Sequence, residues 1–184
     1  EIVHAAGASL LLSDPSTGDL IFNIVMGEHK EEIKGEKVPR GAGIVGIVAE
    51  TGKPLIVNNA QNDPRVFKNI DSKSSFITRN IICVPMTVQE RNIGVLEAVN
   101  SIGRDAFDGL DVKLLSYIAD QAAIAITNRR LVDELTSRIK ELTALHEISQ
   151  TVSFSRAEGD LLETIIASMP RSRATRTKSQ TIKK

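Results

Sequence analysis

The sequence predicts an α+β domain: an antiparallel sheet of five to six strands, covered by helices and continued by a long C-terminal helix. Three observations carry this. Ile81 to Val88 and Ile93 to Val99 alternate with the two-residue period of a strand, on either side of a tight polar turn, Gln89-Glu90-Arg91-Asn92. Ala8 to Leu12 and Leu20 to Val25 make a second apolar pair around the turn formers from Ser13 to Asp19. From Asp108 the period changes, and Leu110, Leu114, Leu115, Ile118, Ala122 and Ile126 recur at helical spacing.

The remaining elements follow in chain order. Gly27 to Arg40 reads as a charged loop. Ile44, Val45, Ile47, Val48 and Ala49 suit a short helix over Gly43 to Glu50, which Gly52-Lys53-Pro54 ends with a C-terminal glycine and a proline. Leu55 to Val57 is a short strand. Asn58 to Arg79 is polar and holds Asp63-Pro64 and Asp71, so it reads as a long loop with at most one helical turn; loops of this length are often functional.

No proline interrupts the chain from Asp108 to Met169. Beyond the first helical turns, Leu131, Leu135, Ile139, Leu142, Leu145, Ile148 and Val152 draw a narrow stripe among charged residues such as Glu134, Arg138 and Glu141, which is the mark of a coiled-coil seam. Ala157-Glu158-Gly159 reads as a break before a second short helix, Asp160 to Met169. The expected organisation is therefore a domain over residues 1–128, a coiled-coil-like linker helix over 129–156, the start of a following domain over 157–170, and a basic tail over 171–184.

Composition narrows the function. A chain of 184 residues with 41% hydrophobic and 25% charged residues has the makeup of a folded domain plus an extension. Six of the 23 basic residues lie beyond Met169 and none of the 23 acidic ones does, so the formal charge of zero conceals a negative body and a positive tail. A negative body does not read as a nucleic-acid interface. The tail reads as a flexible end, contact with an anionic partner being the alternative. A single cysteine, Cys83, excludes an internal disulfide, and no apolar run approaches the ~20 residues of a membrane span, so a cytoplasmic protein is expected.

Taken in order, the motifs resemble those of the GAF domain family over roughly residues 5 to 130: Ala8-Ser9-Leu10 with Asp14 and Gly18, Pro39-Arg40-Gly41-Ala42-Gly43-Ile44-Val45-Gly46, Thr51-Gly52-Lys53-Pro54, Asn62-Asp63-Pro64-Arg65, Thr78-Arg79-Asn80-Ile81-Ile82-Cys83-Val84-Pro85, and Asn100 with Phe107 and Asp111. The family's first helix is largely missing, and Leu142 to Met169 resembles the opening of another signalling domain. The resemblance implies a regulatory module that binds a small molecule between the sheet and the long loop. It also implies homodimerisation through terminal helices and a relay to a covalently linked effector domain.

Candidate residues divide into two groups. For a ligand they are Asp63, Arg65 and Asp71 in the long loop and Phe76, Thr78 and Arg79 at the entry to the next strand; Arg79 pairs either with an anionic ligand or with Asp63 or Asp71. For helix pairing they are Leu131, Leu135, Leu142 and Leu145. The alternative function is cyclic-nucleotide binding, because the phosphodiesterase-type signature is matched by Asn100, Phe107 and Asp111. Ser101 and Val112 replace its lysine and glutamate, so its lysine-carboxylate pair is expected to be lost, leaving Asn100 and Asp111 as turn and helix-start residues.

Cys83 reads as a packed strand thiol rather than the chromophore-bearing cysteine of bilin-binding relatives. One cysteine does not complete the disulfide cycle of the family's methionine sulfoxide reductases. His4, His29 and His146 share no metal-ligand spacing and no nucleophile-base arrangement. The expected protein is non-catalytic, and no cofactor is named by the sequence.

Overall fold

Six strands form one antiparallel sheet: β1 (Ala5–Ser13), β2 (Leu20–Met26), β3 (Lys37–Val38), β4 (Leu55–Val57), β5 (Ile81–Val88) and β6 (Arg91–Ser101). Their spatial order is β3-β2-β1-β6-β5-β4, so β6 pairs with both β1 and β5 at the centre. Among the described residues the helices are α1 (Lys30–Ile33), α2 (Gly43–Thr51) and α3 (Gly109–Ser168), with a 3₁₀ turn at Ala60–Asn62. The computed structural model describes residues 3–28, 30–67 and 77–168. Its contacts divide the chain into two units, Glu1–Leu131 and Val132–Lys184.

Alternation in the two central strands builds two separate cores. Ile82, Val84 and Met86 of β5 join Leu96 and Ala98 of β6 and Leu10 of β1 on one face, where Phe107, Leu115, Ala119 and Ala123 cover them. Buried positions four apart on α3 form one stripe, and its alanines let the helix lie close to the strands. Ile81 and Cys83 of β5, Val95 of β6 and Leu11 of β1 face the other way, against Ile44, Val45 and Val48 of α2. The β5–β6 hairpin closes through Gln89 and Glu90, both at positive φ (49° and 64°), the two-residue turn whose twist matches paired strands. Pairing resumes at once, Val88 with Arg91, so β6 begins two residues earlier than its apolar pattern.

Two differences from the sequence expectation are instructive. The segment read as a charged loop contains α1 and β3, and Val38, 1% exposed, pairs with Leu20 at the sheet edge. A two-residue strand is too short to show a period; tertiary burial creates it. At the other end α3 runs unbroken through Ala157-Glu158-Gly159 to Ser168. A lone glycine costs a helix about 1 kcal/mol relative to alanine, and without a proline that does not stop it. The basic tail, Met169 and the loop residues Asp71 and Phe76 lie outside the described residues. Among the described residues no helix is long and apolar enough to cross a membrane.

Gly94 permits the closest approach in the sheet. A Cβ there would stand 2.7 Å from Met86 Cε and 3.1 Å from the Leu11 carbonyl carbon. Gly94→Ala is expected to cost about 3 kcal/mol of stability, lowering the melting temperature by roughly 6–12 °C. A melt within a degree of the parent protein would contradict this packing.

Candidate functional site

Register places a polar row on the α2 face of the sheet. Ser9 of β1 lies opposite Glu97 of β6, and Glu97 lies opposite Cys83 of β5. All three are buried, and with Leu11 and Val95 in the core of the same face their alternation turns them toward α2. Above Ser9 and Glu97 the sheet, α2 and the segment reaching Phe67 leave a cavity of about 90 Å³, well beyond the ~10–15 Å³ that one water needs.

The cavity has a polar floor and apolar walls. Ser9, Glu97 and Thr78 supply buried polar groups, while Phe22, Val25, Ile33, Val45, Phe67 and Val99 supply most of the wall. Gly43, at φ +69°, brings wall and helix together: a Cβ on it would stand 2.8 Å from the Cβ of Phe67. The first turn of α2, Gly43 to Val45, borders the cavity, and Ala42 gives it no side-chain cap. Its N–H groups therefore present the positive end of the helix dipole with no capping side chain. The only ionisable side chains among the described lining residues are Glu28 and Glu97.

Beside the cavity, Cys83 Sγ donates to Glu97 Oε2 at 3.9 Å. Burial, and after it the charge of Glu97, push this thiol well above the usual cysteine range. It therefore stays protonated and poorly nucleophilic, a packed strand thiol.

Of the residues picked from sequence for a ligand, Thr78 lines the cavity. Asp63 and Arg65 bind each other: Arg65 Nη2 donates to Asp63 Oδ2 at 2.6 Å, and the Arg65 Nε and backbone N–H both donate to Oδ1 at 2.9 Å. These bonds hold the Asp63 carboxyl at about 2. Asp63 is thus occupied by Arg65 rather than Arg79, and neither Asp63, Arg65 nor Arg79 is among the residues lining the cavity. Sequence reasoning passed over Ser9 and Glu97. The signal for Glu97 was a carboxylate at an inward-facing strand position between Val95 and Val99.

Three asparagines tie the cavity's edge to the start of α3. Asn100, at φ 57°, accepts the Arg79 N–H at 2.7 Å and donates to the Ile77 carbonyl at 2.8 Å. Asn80 accepts the Ser101 N–H at 2.8 Å and donates to the Asp105 carbonyl at 3.0 Å. Asn58 accepts the Phe107 N–H at 3.0 Å and donates to the Phe107 carbonyl at 3.1 Å.

Next along the chain, Asp108 Oδ1 accepts the Leu110 N–H at 2.7 Å, and Asp111 Oδ2 accepts the Asp108 N–H at 2.9 Å, a reciprocal cap at the start of α3. Arg104 then bonds Asp111 Oδ1 at 2.7 Å and Asp108 Oδ2 at 3.0 Å. The lysine-carboxylate pair of the phosphodiesterase-type signature has no lysine here, and Asp111 takes a different cation. Ser101 brings no cation, but Arg104 supplies one from the adjoining loop.

An antiparallel six-stranded sheet with a part-polar cavity beneath α2 and a long helix packed on its opposite face is the architecture of one class of α+β domain. Residues 1–127 match the GAF domain family, and the chain belongs to it.

Among relatives, a probable 3′,5′-cyclic phosphodiesterase of Caenorhabditis elegans is 30% identical over 144 residues, 73% of this chain and 20% of the relative. A dual 3′,5′-cyclic-AMP and -GMP phosphodiesterase of Drosophila melanogaster is 28% identical over 126 residues, 68% of this chain and 9% of that protein. The chain thus spans a fifth or less of the length of these curated relatives.

Among solved structures, the GAF domain of a phosphoenolpyruvate-protein phosphotransferase from Coxiella burnetii aligns with a TM-score of 0.64 at 18% identity, covering 71% of this chain and 76% of that one. Free methionine-R-sulfoxide reductase from Neisseria meningitidis aligns at 0.52 and 23% identity, covering 62% and 63%. These likenesses establish the fold.

Two outcomes are expected. The Asp63 carboxyl, depressed from 3.8 to about 2, contributes stability that is present above its unfolded value and lost as pH falls through its folded one. Carbon-detected NMR should place its midpoint near 2, and Arg65→Ala should return it toward 3.8; an unmoved midpoint would refute the pairing. Asn100→Ala removes two bonds to partly buried backbone and is expected to cost about 2–3 kcal/mol in chemical denaturation. A loss under about 0.5 kcal/mol would show that those backbone groups find other partners.

Proposed function

We propose that this chain is a non-catalytic sensory module whose cavity binds a small molecule and whose occupancy is relayed through α3 to a linked effector domain. In this reading residues 1–128 sense, residues 129–156 link, and 157–170 open the following domain. Two copies pair along α3, in the cytoplasm. The observation that carries it is the cavity itself: Ser9, Thr78 and Glu97 form a polar floor where the rest of that face is apolar. Small-molecule sites have this makeup, mostly apolar with a few placed polar groups.

The asparagine ties support the relay, since the backbone on either side of Thr78 is bonded to Asn100, and Asn80, two residues on, bonds the loop before α3. The chemistry of Cys83, a buried thiol that stays protonated and is the chain's one cysteine, supports the non-catalytic reading. The likeness to a methionine sulfoxide reductase extends to the fold and not to a cysteine pair.

The second reading is cyclic-nucleotide binding, favoured by the similarity to two cyclic-nucleotide phosphodiesterases and by the Arg104–Asp111 pair. With no Lys or Arg among the described lining residues, a nucleotide phosphate would rest on the first-turn N–H groups of α2.

Native mass spectrometry of freshly purified protein is expected to show a small-molecule adduct. Glu97→Gln and Thr78→Val should each weaken its retention about tenfold, the worth of one hydrogen bond, and Ser9→Leu should abolish it by filling the floor. Titration calorimetry with cyclic AMP and cyclic GMP decides the second reading: heat abolished by Ser9→Leu establishes it, and no heat at millimolar ligand removes it. Absence of any adduct in protein from its native host would sink the sensory reading.

A further inference from the structure

The charge around the cavity has one sign. Among the described residues that line it, Glu28 and Glu97 bear carboxyl groups and no side chain bears a positive charge. The first turn of α2 acts the other way, but a helix end amounts to roughly half an elementary charge. Two carboxylates outweigh it. Glu97 is only 8% exposed, and away from bulk water its field acts several times more strongly.

The floor is rich in acceptors. Ser9 lies opposite Glu97 in the β1–β6 ladder, where facing side chains start about 5 Å apart. Ser9 is 7% exposed, lines the cavity, and its hydroxyl has no hydrogen-bond partner among the described residues. Thr78 adds a second hydroxyl. Glu97 accepts from Cys83 through Oε2, but a carboxylate offers about four acceptor sites and a hydroxyl about two. Bonds made elsewhere therefore leave room for the N–H groups of a ligand.

We propose that the cavity takes a short primary alkylammonium, its N–H groups on Ser9, Thr78 and Glu97 and its hydrocarbon against Phe22, Val25 and Val99. The inference rests on the reading that the cavity binds a small molecule, and names the chemical class of that molecule.

The match is one of number, sign and size. An ammonium group has three N–H donors and no acceptor, so it meets three oxygen-bearing side chains and cancels a buried negative charge at the same time. The acidic side chains of residues 1–170 outnumber the basic ones, a balance that draws cations toward the domain. A cavity of about 150 Å³ encloses a benzene ring, so one of about 90 Å³ encloses a chain of roughly four or five heavy atoms. A longer amine would reach toward Glu28, which is exposed.

Three probes with one carbon chain and different head groups test this: n-butylammonium, n-butanol and n-butyrate. Each is titrated into the full chain in an amine-free buffer and followed by amide chemical shifts. n-Butylammonium is expected to bind in the millimolar range and at least about tenfold tighter than n-butanol, because its bond to Glu97 is charge-assisted. Glu97→Gln should remove that advantage and bring the two within about twofold of each other. Ser9→Ala, a change of one oxygen that carries the test if Glu97→Gln fails to fold, should weaken n-butylammonium about fivefold. Thermal melts report that each variant is folded.

Equal binding of n-butanol would overturn the charge preference while leaving the cavity a ligand site. Tightest binding of n-butyrate would overturn it in favour of an anion on the first turn of α2. Silence from all three at about 100 mM, where a ligand of roughly five heavy atoms needs only a fraction of its efficiency ceiling, would remove the amine class. A native adduct retained in that case would leave the sensory reading standing, so the two fail separately.

Discussion

The pairing of β6 with β1 on one edge and β5 on the other is the constraint on which the rest of the domain depends. Strand side chains alternate, so a slip of one residue in either ladder would exchange the two faces wholesale. The observed register sends Leu10, Leu96 and Val84 beneath α3, and Ser9, Glu97 and Cys83 beneath α2. Site and scaffold are therefore not independent. The same alternation that buries one core stripe lays a polar row under the cavity, and Gly94 is the point where the register tolerates no Cβ.

Around that sheet, short polar side chains do what hydrophobic packing cannot. The loops before β5 and before α3 are irregular, and their backbone groups need partners that no ladder supplies. Asn58, Asn80 and Asn100 provide them, each bonding both as donor and as acceptor. Asp108, Asp111 and Arg104 continue the chain of bonds into the first turn of α3. The backbone around Thr78 and the start of the helix are thus joined by fixed bonds rather than loose contacts, and it is on these bonds that the proposed relay rests.

The electrostatics of the cavity are two-sided. Glu97 and Glu28 place carboxyl groups on one side, while the first turn of α2, without a side-chain cap, places backbone N–H groups and the positive end of a dipole on the other. Cys83, pressed against Glu97 and held protonated, belongs to the support of that floor rather than to its chemistry.

The sequence by itself determined the sheet and the helix. Alternation over Ile81–Val88 and Ile93–Val99, the glycine-proline stop after α2 and the change of period at Asp108 are local signals, readable because each repeats over several residues. They placed five strands and two helices, and their motifs identified the family. Elements with no room to repeat, α1 and β3, became visible only through burial against β2.

The candidate site was less legible. Thr78 was found because it sits in a motif, whereas Ser9 and Glu97 meet across a register that no local pattern discloses. Asp63 and Arg65, polar residues two apart in a long loop, read as ligand groups, but they bond each other. Arg104 shows the same limit from the other side: three positions past the expected cation, it reaches Asp111 only because the chain folds back on itself. Periodicity reports which face a residue takes; which residues then share a cavity or a charge is decided by long-range pairing, and that belongs to the tertiary structure alone.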